Sequence, residues 1–436
     1  MLEEMNYEAI KQHAKENGQR VNDLIVLAPQ NDPFYAGTPG DWEMARWFAG
    51  LWNAFYDGNS MHVRRVHYKI ISQESPVLMP NGLPYENTER CWDFLNQASK
   101  MARYLRLVDP GAFNDRRNPD AMVFTEYRNY HPQVRARLGL WRDDLKLPDF
   151  PGLPSYTIED FASDQAYHLE IWCEKSTMND VLVPLCRRYG AVLQTGLGEL
   201  SITATLAAVH RLEQANRPAR IFYVSDFDPA GQSMPVAVSR KMEYFVRVLA
   251  LDVDVRLFPV ILTREQVRHY QLPRTPIKET ERRRESFEDR HGQGAVELDA
   301  LEALYPGELQ DILSRYIQMY FDASLYDRTQ EARAEVERHV SAIWQQVTGR
   351  YSDEVASLLA EYQQLEQDFG GRMSSYADRL RQLWHAIHVE LGVSVPEIAG
   401  IVPLPYPGTE IDSGLLNTER DYFEQVESYK VFQGRE

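Results

Sequence analysis

The sequence predicts an α/β and α architecture: a basic, mostly helical module, then a parallel-sheet α/β region, then a nearly all-helical C-terminal region. Three observations carry this expectation. Between Tyr167 and Leu262, short strand-like runs alternate with helical stretches, the signature of a mostly parallel sheet with helices on both faces. Residues 61 to 146 read as short helices and turns and hold 14 Lys and Arg against 10 Asp and Glu. Beyond Leu298, apolar residues recur at three- and four-residue steps.

The boundaries follow in order. Residues 1–60 mix the apolar run Leu24-Ile25-Val26-Leu27 with the turn signals Asn31-Asp32-Pro33 and Gly37-Thr38-Pro39-Gly40, and read as an N-terminal cap. Residues 61–150 form the basic module. In its helix from about Asn87 to Leu105, the stripe Trp92, Leu95, Ala98, Ala102 and Leu105 is apolar, while Arg103 and Arg106 project off it. Such a module is compatible with a winged-helix fold, and the Pro/Gly-rich stretch Leu147–Pro154 reads as a linker. The α/β region occupies residues 165–300, with strands expected at 167–173, 191–195, 219–225 and 253–262. Residues 301–436 form the helical region. Its stripes, such as Val355, Leu358, Tyr362 and Leu365, favour helices packed within the fold over a dimeric coiled coil.

At 436 residues the chain has room for about three domains. With 44% hydrophobic and 25% charged residues, wholesale disorder is excluded. No apolar run approaches the ~20 residues of a bilayer span, and Met1-Leu2-Glu3-Glu4 is acidic where a secretory leader would be basic, so a cytoplasmic protein without a membrane partner is expected. Cys91, Cys173 and Cys186 are too few and too scattered for a disulfide framework or a zinc knuckle. The formal net charge of -17 comes mostly from residues 291–436, whose 11 Lys and Arg face 25 Asp and Glu. One acidic region therefore leaves nucleic-acid binding open for the rest of the chain.

The strongest chemical signal lies where strands end. Glu174 follows the first strand of the alternating region. Asp226 and Asp228 follow the third, in Ser225-Asp226-Phe227-Asp228-Pro229-Ala230-Gly231. Carboxylates gathered at neighbouring strand ends repel one another unless a cation lies between them, and an all-oxygen donor set suits Mg²⁺ or Mn²⁺. The competing expectation is that the two aspartates only form a turn and cap the next helix.

These motifs resemble the Toprim domain of topoisomerases, primases and repair nucleases. The likeness extends to the A subunit of topoisomerase VI and its relatives that break DNA in meiosis. Glu174-Lys175 is similar to the first Toprim motif, Thr195-Gly196-Leu197-Gly198 to the intermediate Thr-Gly-x-Gly-like turn, and Asp226–Gly231 to the Asp-x-Asp-Pro-x-Gly motif. The family carries a nucleophilic tyrosine in an Arg-x-x-Tyr-Tyr motif on a winged helix upstream of the Toprim domain. Arg64-Arg65-Val66-His67-Tyr68 is similar to it, with Tyr68 at the nucleophile's position. Two departures are His67, where the family usually has a first tyrosine, and Leu197, where a lysine is common.

The resemblance implies Mg²⁺-dependent DNA cleavage by tyrosine transesterification. It also implies a homodimer in which the tyrosine of one chain works with the Toprim domain of the other, and a separate ATPase subunit. No Gly-x-x-x-x-Gly-Lys-Ser/Thr motif occurs in this chain. A phenol with an ordinary pKa of ~10 needs a base or positive charge to act as a nucleophile. Arg64, one turn before Tyr68, would hold the scissile phosphate, His67 would assist proton transfer, and Lys175 would touch a non-bridging oxygen. Arg64, Arg65, Arg103, Arg106, Arg116 and Arg117 are the expected DNA contacts. Two alternatives stand beside this: a Toprim nuclease that hydrolyses phosphodiesters with Tyr68 merely packed, and a non-catalytic DNA-binding subunit of a larger assembly. Arg282-Arg283-Arg284, in a stretch of 8 basic and 6 acidic residues (264–290), reads as a solvated helix face.

Overall fold

The computed structural model describes residues 5–56, 58, 61–113, 120–125, 130–139, 149–196, 201–367, 373–403 and 414–434. The N-terminal part is helical: α1 (Tyr7–Glu16), α2 (Pro39–Phe55), α3 (Val63–Ile71) and α4 (Glu89–Tyr104). Three short strands follow, β1 (Met122–Val123), β2 (Gln133–Arg137) and β3 (Ser155–Glu159). The alternating region is then β4 (His168–Cys173), α5 (Asn179–Tyr189), β5 (Val192–Thr195), α6 (Ile202–Ala215), β6 (Ala219–Val224), α7 (Pro229–Val248) and β7 (Val255–Ile261). Four short helices come next: α8 (Arg264–His269), α9 (Arg284–His291), α10 (Leu298–Leu304) and α11 (Glu308–Ile317). The chain closes with α12 (Leu325–Arg350), α13 (Ser352–Gln367), α14 (Met373–Ser394), β8 (Leu416–Asn417) and α15 (Tyr422–Phe432).

The chain divides into two compact units. The first comprises Met1–Tyr127, Tyr167–Phe321 and Pro407–Glu436, and the second Arg128–Ala166 and Asp322–Tyr406. The first is built on a six-stranded sheet in the order β1-β5-β4-β6-β7-β8. The four central strands are parallel, as the alternation predicts, and the two outer pairings are antiparallel. Strand side chains alternate between faces, so each face needs its own cover. Leu169, Ile171, Cys173 and Phe222 pack with α5 and α11 on one side, while Trp172, Ile221, Tyr223 and Leu257 pack with α6 and α7 on the other.

That second face also receives the N-terminal helices. Phe48, Trp52, Val66, Leu95 and Ala102 belong to the same apolar cluster as Trp172 and Tyr223. The basic segment is therefore not the free-standing module expected from the sequence. Its described residues form α3 and α4, the edge strand β1, and β2, which belongs to the second unit; between α3 and α4 an antiparallel bridge joins Leu78 to Pro84, with the Tyr85 N–H donating to the Val77 carbonyl and the Met79 N–H to the Leu83 carbonyl. A buried cation ties distant segments together: Arg240 of α7 bonds Asp32 (Nε, 3.2 Å), Glu243 (3.0 Å) and the Tyr422 hydroxyl of α15 (2.6 Å).

Two further boundaries differ from the sequence expectation. Of the stretch read as a linker, Phe150 and Leu153 pack in the core of the second unit, where the Gly152 and Pro154 carbonyls accept from Trp384 Nε1 and Trp344 Nε1. The C-terminal region is not one helical block. The α10 and α11 helices pack on the first unit, α12 to α14 form the second with the β2–β3 hairpin, and β8 and α15 return to complete the sheet edge. The apolar stripes of α12 to α14 do form an intramolecular core, through Val347, Leu358, Tyr362, Tyr376, Leu380, Leu383 and Ile387.

Candidate active site at the carboxyl edge of the sheet

The connection after β4 runs through α5 to β5 on one side, and the connection after β5 crosses back through α6 to β6 on the other. The carboxyl ends of β4 and β6 therefore flank the switch point of the sheet, where open parallel sheets form a crevice. Glu174 sits at the end of β4, with its N–H donating to the Val224 carbonyl at the end of β6 (3.0 Å). Asp226 and Asp228 follow immediately on β6.

Each residue of the Asp-x-Asp-Pro-x-Gly run has a local reason. Asp228 caps α7, its Oδ1 accepting from the Gly231 N–H at 2.6 Å, and Pro229 takes the first helical position, where no N–H is needed. The helix consequently starts five residues before the Met234 expected from apolar periodicity. Gly231 is required by space: a Cβ there would lie 2.0 Å from the Asp226 carbonyl oxygen. Phe227 exchanges backbone hydrogen bonds with Val296, bringing the start of α10 beside Asp226. The Leu298 N–H donates to Asp226 Oδ1 at 2.8 Å.

The electrostatics of the edge are those of crowded carboxylates. Glu174 is pushed up to about 7, first by burial and then by the charges of Asp226 and Asp228, against a hydrogen bond from the Asp226 N–H and the attraction of Lys175. Its Oε2 is buried with no hydrogen-bond partner. Burial also raises Asp226, opposed by the Leu298 N–H and Lys175. The Lys175 ammonium contacts Asp226 Oδ2 at 3.1 Å, Glu297 Oε2 at 3.0 Å and Asp299 Oδ2 at 2.8 Å. Burial disfavours that charge, but the three carboxylates hold it above the ordinary lysine value. Among the described residues, no three His, Cys, Asp or Glu side chains are already gathered as a metal site. The acidic residues Glu297 and Asp299 carry no sequence signal, since the Phe227–Val296 pairing and the Leu298 N–H to Asp226 bond, both long-range, bring them to this edge.

Tyr68 lies elsewhere, on the exposed face of α3. Its side chain is 58% exposed, and Arg64, Arg65 and Lys69 share that face, while Val66, His67 and Ile70 point inward. Arg64 stacks over Trp92 (5.8 Å), and a ring contact joins Tyr68 to His67. His67 is buried, with Nδ1 bonded to the Tyr85 hydroxyl at 2.8 Å and its ring edge against Trp92. It is thus engaged with its own core on the Nδ1 side. No hydrogen bond joins Tyr68 to the three carboxylates within the described residues of one chain.

Of the other expected contacts, Arg103 lies over the Phe113 ring (4.6 Å) and donates to the Ser99 carbonyl, and Arg106 reaches the Val248 carbonyl (3.5 Å). Arg116, Arg117, Leu197 and Gly198 lie outside the described residues. No family model matches the chain, and no curated protein matches it. No helix among the described residues is long and apolar enough to cross a membrane.

Proposed function

We propose that this chain is a Toprim-like, Mg²⁺- or Mn²⁺-dependent enzyme that cleaves DNA, resembling the A subunit of topoisomerase VI. The observation that carries the reading is the juxtaposition of Glu174, Asp226 and Asp228 at the switch point of a parallel sheet, with Glu174 raised to about 7 and one of its oxygens buried without a partner. Three oxygen donors whose mutual repulsion is incompletely relieved by protein groups fit a hard divalent cation. Glu174, Asp226 and Asp228 would hold it, with Glu297 and Asp299 beside them once Lys175 moves toward a substrate phosphate. Such an ion stabilises negative charge on phosphate and leaving oxygens when bound.

The chain's own residues supply the rest. Tyr68 presents an accessible side chain on a helix face that also carries Arg64, Arg65 and Lys69, cations that would draw a phosphodiester to it. Its oxygen bonds to phosphorus, the sugar oxygen departs and takes up a proton, and the phenolic proton passes to solvent. The resemblance to topoisomerase VI joins this reading to a homodimer in which each tyrosine serves the partner's carboxylates. An ATP-dependent strand-passage cycle would need a separate ATPase subunit. The setting is proposed as cytoplasmic, in keeping with three free, buried cysteines.

One observation favours a second reading, hydrolysis by a Toprim nuclease. His67 bonds Tyr85 and packs on Trp92, so it is not held beside the Tyr68 hydroxyl as a base. Incubation with supercoiled plasmid and Mg²⁺, followed by denaturing electrophoresis with and without protease, separates the two. DNA covalently attached to wild type but not to Tyr68→Phe supports transesterification. Cleavage unchanged in Tyr68→Phe with no attached protein establishes the nuclease, and no cleavage with any divalent ion overturns both. Light scattering that gives a monomer at every concentration, with and without DNA, overturns the paired arrangement.

A further inference from the structure

The first unit carries a second chemically distinctive surface, a cleft of about 800 Å³. Lys100 and Arg103 reach it from α4, Lys241 from α7, and Arg282 and Arg283 from the segment before α9, against one carboxylate among the described lining residues, Glu281. In a chain of net charge -17, a local balance of five cations to one anion is a marked concentration of positive potential. Glu281 is itself paired with Arg283 at 2.8 Å. Three separate stretches of sequence contribute these charges, and neither of the outer two was expected to meet the other.

The position of the cleft indicates what it receives. Its wall includes Ser233, bonded by Arg283, and Ser201, the N-cap of α6. Ser233 lies five residues into the helix that Asp228 caps, about 7.5 Å along its axis. Ser201 and Ser233 thus put one end of the cleft at the starts of α6 and α7, the helices that follow the carboxyl ends of β5 and β6, within the same compact unit. Its volume exceeds that of a single small anion, and its cations are spread along several elements, an arrangement suited to successive phosphates.

We infer that this cleft binds the phosphodiester backbone of the nucleic acid and leads it to the carboxylates at the ends of β4 and β6. The inference rests on the proposed DNA-cleaving function and adds a binding surface to it: Arg282 and Arg283, assigned from sequence to a solvated face, become backbone contacts, and Arg103 is shared with the surface expected from sequence. Lys241 and Arg282 are its most informative members, because they come from different walls and Arg282 is exposed.

The test is fluorescence anisotropy with a short labelled DNA duplex in EDTA, over a salt series, using the full chain. Lys241→Gln/Arg282→Gln is compared with wild type and with Arg379→Gln/Arg381→Gln, which removes the same charge from the second unit. The cleft variant should bind at least about tenfold more weakly near 0.1 M salt and lose about two from the slope of log K against log salt, while the control stays within twofold. Should the double variant melt earlier than wild type, Arg282→Gln alone must show roughly half of that slope change. A cleft variant that binds DNA like wild type, while wild type binds and cleaves, overturns the cleft and spares the cleavage reading. Failure of wild type to bind any DNA overturns both. Saturable pyrophosphate binding by calorimetry that the cleft variant loses, with DNA affinity unchanged, assigns the cleft to a small anion and overturns the inference as well.

Discussion

Two glutamates, Glu170 within β4 and Glu174 just beyond its end, have opposite surroundings. Glu170 is fully buried, yet both its oxygens are bonded: Arg211 donates from Nε and Nη2 at 2.9 Å each, the Trp172 indole N–H at 2.6 Å, and His168 Nε2 lies at 2.8 Å. Burial alone would raise its pKa, but Arg211 and His168 overcome that and hold the carboxyl well below the usual range. Glu174, four residues further and just past the strand's end, is less buried, leaves Oε2 without a partner, and faces carboxylates where Glu170 faces a guanidinium. A buried carboxylate surrounded by donors is part of the scaffold. One held among like charges is costly to the fold, and that cost makes sense if a cation or a proton relieves it.

The contrast is broken most severely by removing the guanidinium. Arg211→Met strands the Glu170 charge in the core and should lower unfolding free energy by roughly 3–5 kcal/mol in urea titrations. A loss below about 1 kcal/mol would mean that Glu170 is not held as an ion.

The second way to sharpen the contrast is pH. Glu174 has its pKa raised from 4.5 to about 7 in the folded chain, so between those values the folded state keeps a proton that the unfolded state releases. Stability attributable to Glu174 therefore falls as pH rises from 4.5 to 7, and is lowest above 7. Glu170 behaves oppositely: it contributes stability above the unfolded carboxylate value, and that contribution disappears only in acid, as pH drops through its depressed pKa. Thermal melts of Glu174→Gln should show a chain more stable than wild type at pH 8, by about 1 kcal/mol once solvent screening is allowed for, with the advantage gone at pH 4.5. A variant less stable than wild type at pH 8 would place Glu174 with Glu170 as scaffold.

The smallest effect on stability belongs to Tyr68. Its exposed side chain takes no part in the core, so Tyr68→Phe should leave the unfolding free energy within about 0.5 kcal/mol of wild type while eliminating protein-linked DNA. A large loss of stability would instead assign Tyr68 a packing role.

Much of this contrast is legible in the sequence, and the limits have physical causes. Alternating apolar runs give all four parallel strands to within one or two residues, and strand ends place Glu174, Asp226 and Asp228. The start of α7 is missed because capping by Asp228 and Pro229, not apolar spacing, sets it. Lys175 is visible, but its partners Glu297 and Asp299 lie more than 120 residues away and are delivered by long-range backbone contacts of Ala295, Val296 and Leu298. Residues 147–154 look like a linker because Pro and Gly mark turns; the tryptophans that donate to their carbonyls, Trp344 and Trp384, belong to helices 190 and 232 residues later. The return of β8 and α15 to the first sheet is equally non-local. It makes truncation after Leu325 a poor test of the acidic region, because Tyr422, Val426 and Tyr429 would leave the first core with it.

The most direct measurement is calorimetric titration of Mn²⁺ and Mg²⁺ into the intact protein and into Glu174→Gln and Asp226→Asn at pH 8. Saturable binding to wild type, with a raised melting temperature and a marked loss of affinity in both variants, is the outcome required by carboxylates arranged for a cation. Wild type that binds neither ion, or that binds them as well as both variants do, would contradict it and leave the edge of the sheet as an acidic turn held by Lys175.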